Sequence, residues 1–471
     1  MTLENMSSPS RSRVLIIGAG AFGLSTALYL QRYHQDQVNV TLLDSQPFPS
    51  IDSASGNDTS RQIRMDYADP FYAKLAKEAI HAWRTDPVFA KHYNECGRVA
   101  AAAPVQKAFL DKCRQTMKEM GVEIQEYAGN KNKAQLLKKR FPMLGNVEGW
   151  DFYFNPQAGY ANPREALIAA MDEYRALDGI FIGDTERGYV TENILEDNPK
   201  GPGPRVVGVR TAGGHVYYAD HIIYAIGALT TMNKSLIPEL DTQIYPTGFA
   251  IAHWKLDDPK ELEAWRDHPA VDIYHHGYFF PPDPSTGLMK LGLGIIGFKH
   301  EREAEAGVPG ERVGIARANS SLVDTADDGR IPPVAEDGIR HLLSCWSPTL
   351  AEKKFLDMKI CWDAMTPDGG WLIDHHPDIW GLSIATGGSG HGFKFLPVVG
   401  GFIAQALRIV SMPNDDSARR QELRSKWRWG RETNLNAPDH RVVLQGRPVL
   451  NVLDYLRPEK RAIEKFLRPK L

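Results

Sequence analysis

The chain has 471 residues, with 55 Lys and Arg against 58 Asp and Glu and a formal net charge of −3. Its length exceeds what one core usually holds, so two domains are expected, and the near-neutral balance argues against a nucleic-acid or anionic-membrane partner. Four cysteines, Cys96, Cys113, Cys345 and Cys361, are too few for a disulfide framework and lack C-x-x-C metal spacing, which favours a reducing, intracellular setting.

Met1 to Ser12 is polar and shows no secretory signal. Val14 to Ile17 is an apolar, β-branched run, as expected of a parallel strand buried on both faces. Gly18, Ala19, Gly20, Ala21, Phe22 and Gly23 follow as G-x-G-x-x-G and open a helix expected over Phe22 to Tyr33. The three glycines serve a tight turn, backbone approach to a pyrophosphate, and close helix–strand packing. The helix N-terminus offers unpaired N–H groups to the phosphates. A second strand, Val38 to Leu43, ends in Asp44, about twenty residues past the motif, where a carboxylate holds ribose hydroxyls and repels a 2′-phosphate. The expected ligand is therefore FAD or NAD. Val14 to Leu30 is uncharged over nearly a membrane-spanning length, but the motif inside it favours strand, turn and helix.

A turn-rich segment, Ser45 to Asp58, leads to Thr59, Ser60 and Arg61. Asp69 and Pro70 suit the N-cap and first position of a helix with Tyr72, Leu75, Ala76, Ala79, Ile80 and Trp83 on one face. A charged helix is expected over Val105 to Met120 and another from Pro163 to about Arg175. Val206 to Arg210 and His221 to Ile226 read as strands, the second stopping at Gly227, where backbone can approach a cofactor. Ile244 to Gly297 is rich in aromatics and β-formers and suggests an antiparallel sheet over a pocket. Leu382 to Thr386 reads as a strand feeding Gly387-Gly-Ser-Gly-His-Gly392 and a helix from Lys394 to Val410, a second strand–glycine–helix unit. The tail from Ser411 mixes acids, bases, Trp427 and Trp429 and is expected to pack on the body. Its last residues, Pro469-Lys470-Leu471, differ from a peroxisomal S-K-L address at one position, so a peroxisomal or cytoplasmic location is expected.

The N-terminal motif together with Cys361-Trp-Asp-Ala-Met-Thr-Pro-Asp368 and Ser389-Gly-His-Gly-Phe-Lys394 resembles the monomeric sarcosine oxidase family of FAD amine oxidases, within the D-amino-acid oxidase group. The resemblance runs from about residue 13 to 410 and points to the fungal branch of fructosyl amino acid, saccharopine and pipecolate oxidases. It implies an α/β fold: a discontinuous, doubly wound Rossmann-type FAD domain (1–90, 151–235, 346–415). A second domain on an antiparallel sheet (91–150, 236–345) and a packed tail (416–471) complete it. Cys361 matches the cysteine that carries FAD covalently, which needs a thiolate beside the flavin ring. Lys290 matches the lysine near flavin N5 that stabilises charge as oxygen is reduced. Arg61 matches a base near the flavin, and Arg64 with Lys394 the pair that binds the substrate carboxylate. Cofactor contacts are also implied at Ser45, Asp58, Thr59, Ser60, Gly227, Gly388, Gly390, His391, Gly392, Phe393 and Lys394.

Two departures bear on the substrate. Gly294 stands where small-substrate members carry a histidine and fructosyl oxidases a glutamate, and Asp363 where sarcosine oxidases carry a tyrosine. Both changes suggest a roomier pocket, with Asp363 a possible distal anchor. The expected activity is oxidation of an N-methyl, N-alkyl or cyclic amino acid larger than sarcosine: hydride passes to flavin N5, and O2 becomes H2O2. The expected partners are that amino acid and O2, with no metal, in a monomer. Alternatives are a fructosyl amino acid oxidase, an NAD-dependent dehydrogenase and a non-catalytic flavoprotein.

Overall fold

A computed structural model describes residues 11–49, 56, 58–127, 131–145, 147–232, 235–299, 331–412, 417–432, 448–451 and 455. Pro469-Lys470-Leu471 and much of the turn-rich stretch before Asp58 lie outside the described residues.

The apolar N-terminal run becomes the strand Ser12–Ile17, central in a six-stranded sheet. The order is Leu372–His375, Leu382–Thr386, His221–Tyr224, Ser12–Ile17, Val38–Asp44, Ile180–Gly183. All neighbours are parallel except the first pair. Ile16 lies opposite both Leu42 and Ile223 and is fully buried, because both faces of this sheet are covered. On one face sit the helices Ala21–Tyr33 and Val399–Leu407. They approach closely: a side chain at Gly400 would meet Ser25 O at 2.1 Å, and Ser25 Oγ donates to Leu396 O at 2.6 Å. The other face is covered by a three-stranded antiparallel sheet, Val190–Asp197, Pro204–Thr211 and Val216–Tyr218.

The second sheet has ten strands, mostly antiparallel, around the long strand Tyr245–Lys255. That strand pairs with Leu288–Leu293 on one side and Asp357–Met365 on the other. Two strands that the sequence reading grouped with the FAD domain belong to this sheet, so its ranges are corrected here. Asp151–Asn155 pairs with Arg98–Ala102, and Asp357–Met365 with Tyr245–Lys255. The second is betrayed by its period of two: Ile360, Trp362 and Ala364 are buried while Lys359, Cys361 and Asp363 are partly open. A buried parallel strand would be apolar on both faces.

Asp69 caps the helix Pro70–Thr85 by accepting from Phe71 N at 2.9 Å, and Asn162 caps Pro163–Ala176. The helix expected from Lys394 instead starts at Val399, after a 3-10 turn at Phe393–Phe395. Pro397 lacks the N–H needed to continue a helix through it. In the tail, the helix Ser417–Trp427 buries Trp427 against Trp371 and Phe71, ring centres 5.0 and 5.7 Å away. Among the described residues no helix is long and apolar enough to cross a membrane.

Candidate active site

The glycine motif divides its work as the spacing suggests. Gly18 has φ +105°, and a side chain there would strike Ala225 O at 2.6 Å. One at Gly23 would lie 1.9 Å from Gly18 O. At Gly20, at the helix N-terminus, it would meet nothing within 4 Å among the described residues, and the same holds at Gly227 beyond the strand His221–Tyr224. Asp44 Oδ2 accepts from Ala19 N at 2.8 Å and Oδ1 from Gln46 N at 3.1 Å. Burial pushes its carboxyl upward. Ser45 follows directly, its carbonyl accepting from Thr185.

The second glycine loop sits under the end of the Asp357–Met365 strand. Asp363 accepts the Gly390 N–H, and a side chain at Gly388 would lie 3.6 Å from Asp363 Oδ1. Burial raises the Asp363 carboxyl to about 6. Asp363 thus supports the glycine loop rather than standing free as a substrate anchor. Gly392 leaves room for the Phe22 ring, which a side chain would meet at 2.9 Å. The tail clamps the neighbouring turn: Arg431 makes a two-pronged contact with Asp368, which also accepts from Thr366 Oγ1 at 3.0 Å.

A buried charge cluster lies at the join of the elements. Asp58 is surrounded by Lys290 Nζ, Arg61 Nη1, His253 Nε2 at 3.1 Å and Thr59 N at 2.8 Å. These cations hold its carboxyl well below the usual range despite burial. Lys290 is fully buried, donates to Ser60 O at 2.9 Å, and sits over the Tyr278 and Phe280 rings at 5.6 and 5.9 Å. Burial and the nearby Arg61 lower it to about 8. Arg61 Nη2 lies 3.6 Å from Cys361 Sγ. Burial pushes that thiol up while Arg61 draws it down.

A second cationic group forms around Tyr67. Arg64 lies over its ring at 5.0 Å, and Lys394 Nζ lies 5.4 Å from the ring centre and donates to its hydroxyl at 3.1 Å. Burial, then repulsion from Arg64, pushes Lys394 well below its ordinary value. The hydroxyl also meets His391 Nδ1 at 2.9 Å, and His391 Nε2 meets Gly369 O at 2.9 Å. Both nitrogens of His391 are therefore occupied by protein, so the ring braces the loop rather than reaching a ligand. Phe393 likewise packs on Trp83, ring centres 6.0 Å apart. Arg64 Nε lies 3.9 Å from Asp272, which Arg98 also engages, and Arg98 Nη1 is 3.4 Å from Asp66.

Gly294 differs from expectation. A side chain there would meet Gly277 N at 3.3 Å, because Leu293 is in register with Gly277. The room expected from losing a side chain is filled by the His276–Gly277 backbone.

Comparison with known proteins identifies the group. The family described as DAO, FAD dependent oxidoreductase, matches residues 13–406. The chain belongs to this family. It is 30% identical to the L-saccharopine oxidase of Schizosaccharomyces pombe, over 94% of this chain and 97% of that protein. It is 26% identical to the human peroxisomal sarcosine oxidase, over 86% and 94%. Among solved structures it is similar to fructosamine oxidase (Amadoriase II) from Aspergillus fumigatus in complex with FSA, with TM-score 0.76, 28% identity, and 94% and 96% coverage.

This DAO-family chain is an FAD-dependent oxidoreductase acting on CH–NH bonds, which sets aside the NAD dehydrogenase and the non-catalytic readings. Its residues fit the cofactor. Gly20 and Gly227 leave open backbone where a ligand must come close, and Thr59 Oγ1 is buried without a hydrogen-bond partner among the described residues. The sequence reading missed His253, Asp357, Tyr67, Arg98 and Asp272. Tyr67, just past Arg64, was the most accessible of these. His253 and Asp272 act through contacts that no local pattern announces.

Proposed function

We propose that this enzyme oxidises a secondary-amine amino acid larger than sarcosine, releases H2O2, and carries FAD tethered through Cys361. Bound FAD would supply the hydride acceptor and pass the electrons to oxygen. The observation that carries the reading is the convergence of Arg64 and Lys394 on the Tyr67 ring, apart from the Lys290–Asp58 cluster. The first pair can orient a carboxylate; Lys394, drawn toward neutrality by burial, would be held charged by an incoming anion. The second cluster can stabilise negative charge as oxygen is reduced. Burial pushes the Cys361 thiol up; Arg61, 3.6 Å away, opposes that rise and so eases formation of the thiolate that a covalent link requires.

The size of the substrate is supported by similarity to an L-saccharopine oxidase, and no longer by Gly294. A panel of sarcosine, pipecolate, saccharopine, N-methyl-aromatic and fructosyl amino acids, read by peroxide release, tests the proposal. Best turnover of sarcosine, or of an amine lacking a carboxylate, would overturn it; best turnover of a fructosyl amino acid would make the amadoriase reading correct.

A further inference from the structure

Asp357, His253 and Lys290 stand side by side on three adjacent strands, since His253 is in register with both of the others. His253 Nδ1 lies 2.6 Å from Asp357 Oδ1, and its Nε2 lies 3.1 Å from Asp58 Oδ1. Asp58 in turn contacts Lys290 Nζ. The row thus runs from a carboxylate side chain that is 59% exposed to an ammonium with no exposure at all. A polar cavity of about 260 Å3 lies against it, walled by Asp58, Thr59, Arg164, His253, Asp357 and Lys359, and has room for several waters. Lys290 is not among its walls.

We propose that His253 relays protons from this cavity through Asp58 to Lys290, supplying the proton that oxygen reduction consumes. The inference rests on the oxidase reading above. Removing hydride from a neutral secondary amine leaves an iminium ion. The two electrons and one proton of that hydride, plus one further proton, convert O2 to H2O2. Lys290 donates that further proton and recovers one as the Nε2 proton of His253 passes across the Asp58 carboxylate, which stays ionised between transfers. The ring is then reprotonated on Nε2 by water, while Nδ1–H stays on Asp357. The groups facing His253 suit this. Against burial, Asp357 and Asp58 hold its imidazolium above the ordinary range, while burial and Arg61 lower Lys290 to about 8, so the two ends are drawn toward each other. Lys359 and Arg164, across the cavity, keep hydroxide or an anion rather than a second cation near the row.

The test uses holoenzyme whose flavin is photoreduced without any amine, then mixed with O2, so an error in the substrate assignment does not touch it. His253→Gln should slow reoxidation about a hundredfold at pH 7 and flatten its pH profile. Imidazole should restore much of the rate in His253→Ala, because the cavity admits it. Independently, histidine-labelled protein free of cofactor should show in its 15N spectrum an imidazolium that persists above pH 6.5, vanishes in His253→Gln and shifts in Asp357→Asn. A loss equal at every pH and unmoved by imidazole would mean that His253 only supports the fold, and would overturn the relay. So would a His253 ring that is neutral at pH 6.

Discussion

Replacing Lys290 by Met separates the oxygen half of the reaction from the amine half. The ammonium is one of four partners of the buried Asp58 carboxylate; Arg61, His253 and the Thr59 N–H remain. Breaking an isolated buried pair costs about 3–5 kcal/mol. Here the remaining partners, and relief of the repulsion from Arg61, should bring the stability loss nearer the ~1–3 kcal/mol of one polar group left short of a partner. The kinetic loss should be larger: removing a preorganised charge costs about 3–4 kcal/mol of transition-state stabilisation, a factor of roughly 10²–10³. Because Lys290 is protonated below about 8 and neutral above it, wild-type reoxidation should fall as pH rises through that value. The variant should lack that limb. Stopped-flow mixing of reduced enzyme with O2, beside anaerobic bleaching by substrate, measures the two halves. Equal losses in both, or a wild-type rate that climbs through pH 8, would refute the role.

Acid precipitation should leave yellow colour in the wild-type pellet, while Cys361→Ala should release it; colour wholly in the wild-type supernatant would end the covalent proposal. Arg64→Leu should raise KM for a carboxylated amine about tenfold to a hundredfold, the worth of a charged hydrogen bond of ~1.5–3 kcal/mol, and leave KM for its methyl ester nearly unchanged. Gly23→Ala forces a carbon against Gly18 O, 1.9 Å away, so flavin content and thermal stability should fall together; an unchanged flavin content would contradict the packing argument. Trp427→Ala removes a fully buried indole and should cost about 3–5 kcal/mol, measured by denaturant unfolding, showing that the tail helix is part of the body.

What the sequence made legible was local or patterned. The turn at Gly18–Gly23 depends on backbone within a few residues and on the strand beside it, so spacing sufficed. Leu382–Thr386 was readable for the same reason, as an apolar run closed by glycines. The helix after it was not, because Pro397 delays the start until Val399. Arg64 and Lys394 meet on Tyr67 across 330 residues of chain, and only resemblance to a family joined them. Gly294 misled because the direction of a missing side chain depends on strand register: Gly294 follows Leu293, the partner of Gly277, and a side chain there would point at the His276–Gly277 backbone.

His253 shows the limit most clearly. It sits between Ala252 and Trp254 in an aromatic-rich strand, where a lone histidine usually reads as core. Its carboxylate partners lie 195 residues before it and 104 after it. Asp58 precedes a short strand of the small sheet formed with Gly159–Ala161, whereas Lys290, His253 and Asp357 belong to the ten-stranded sheet. The cluster therefore exists only once those two sheets have docked. Asp58 alone would be a buried carboxylate, and Lys290 alone a buried ammonium, each costing several kcal/mol. Their pairing makes docking of the two sheets and assembly of this cluster one event, and the group around Tyr67 shares that dependence, because Arg64 and Asp66 meet Asp272 and Arg98 of the ten-stranded sheet; variants that loosen the join should therefore disturb both groups together.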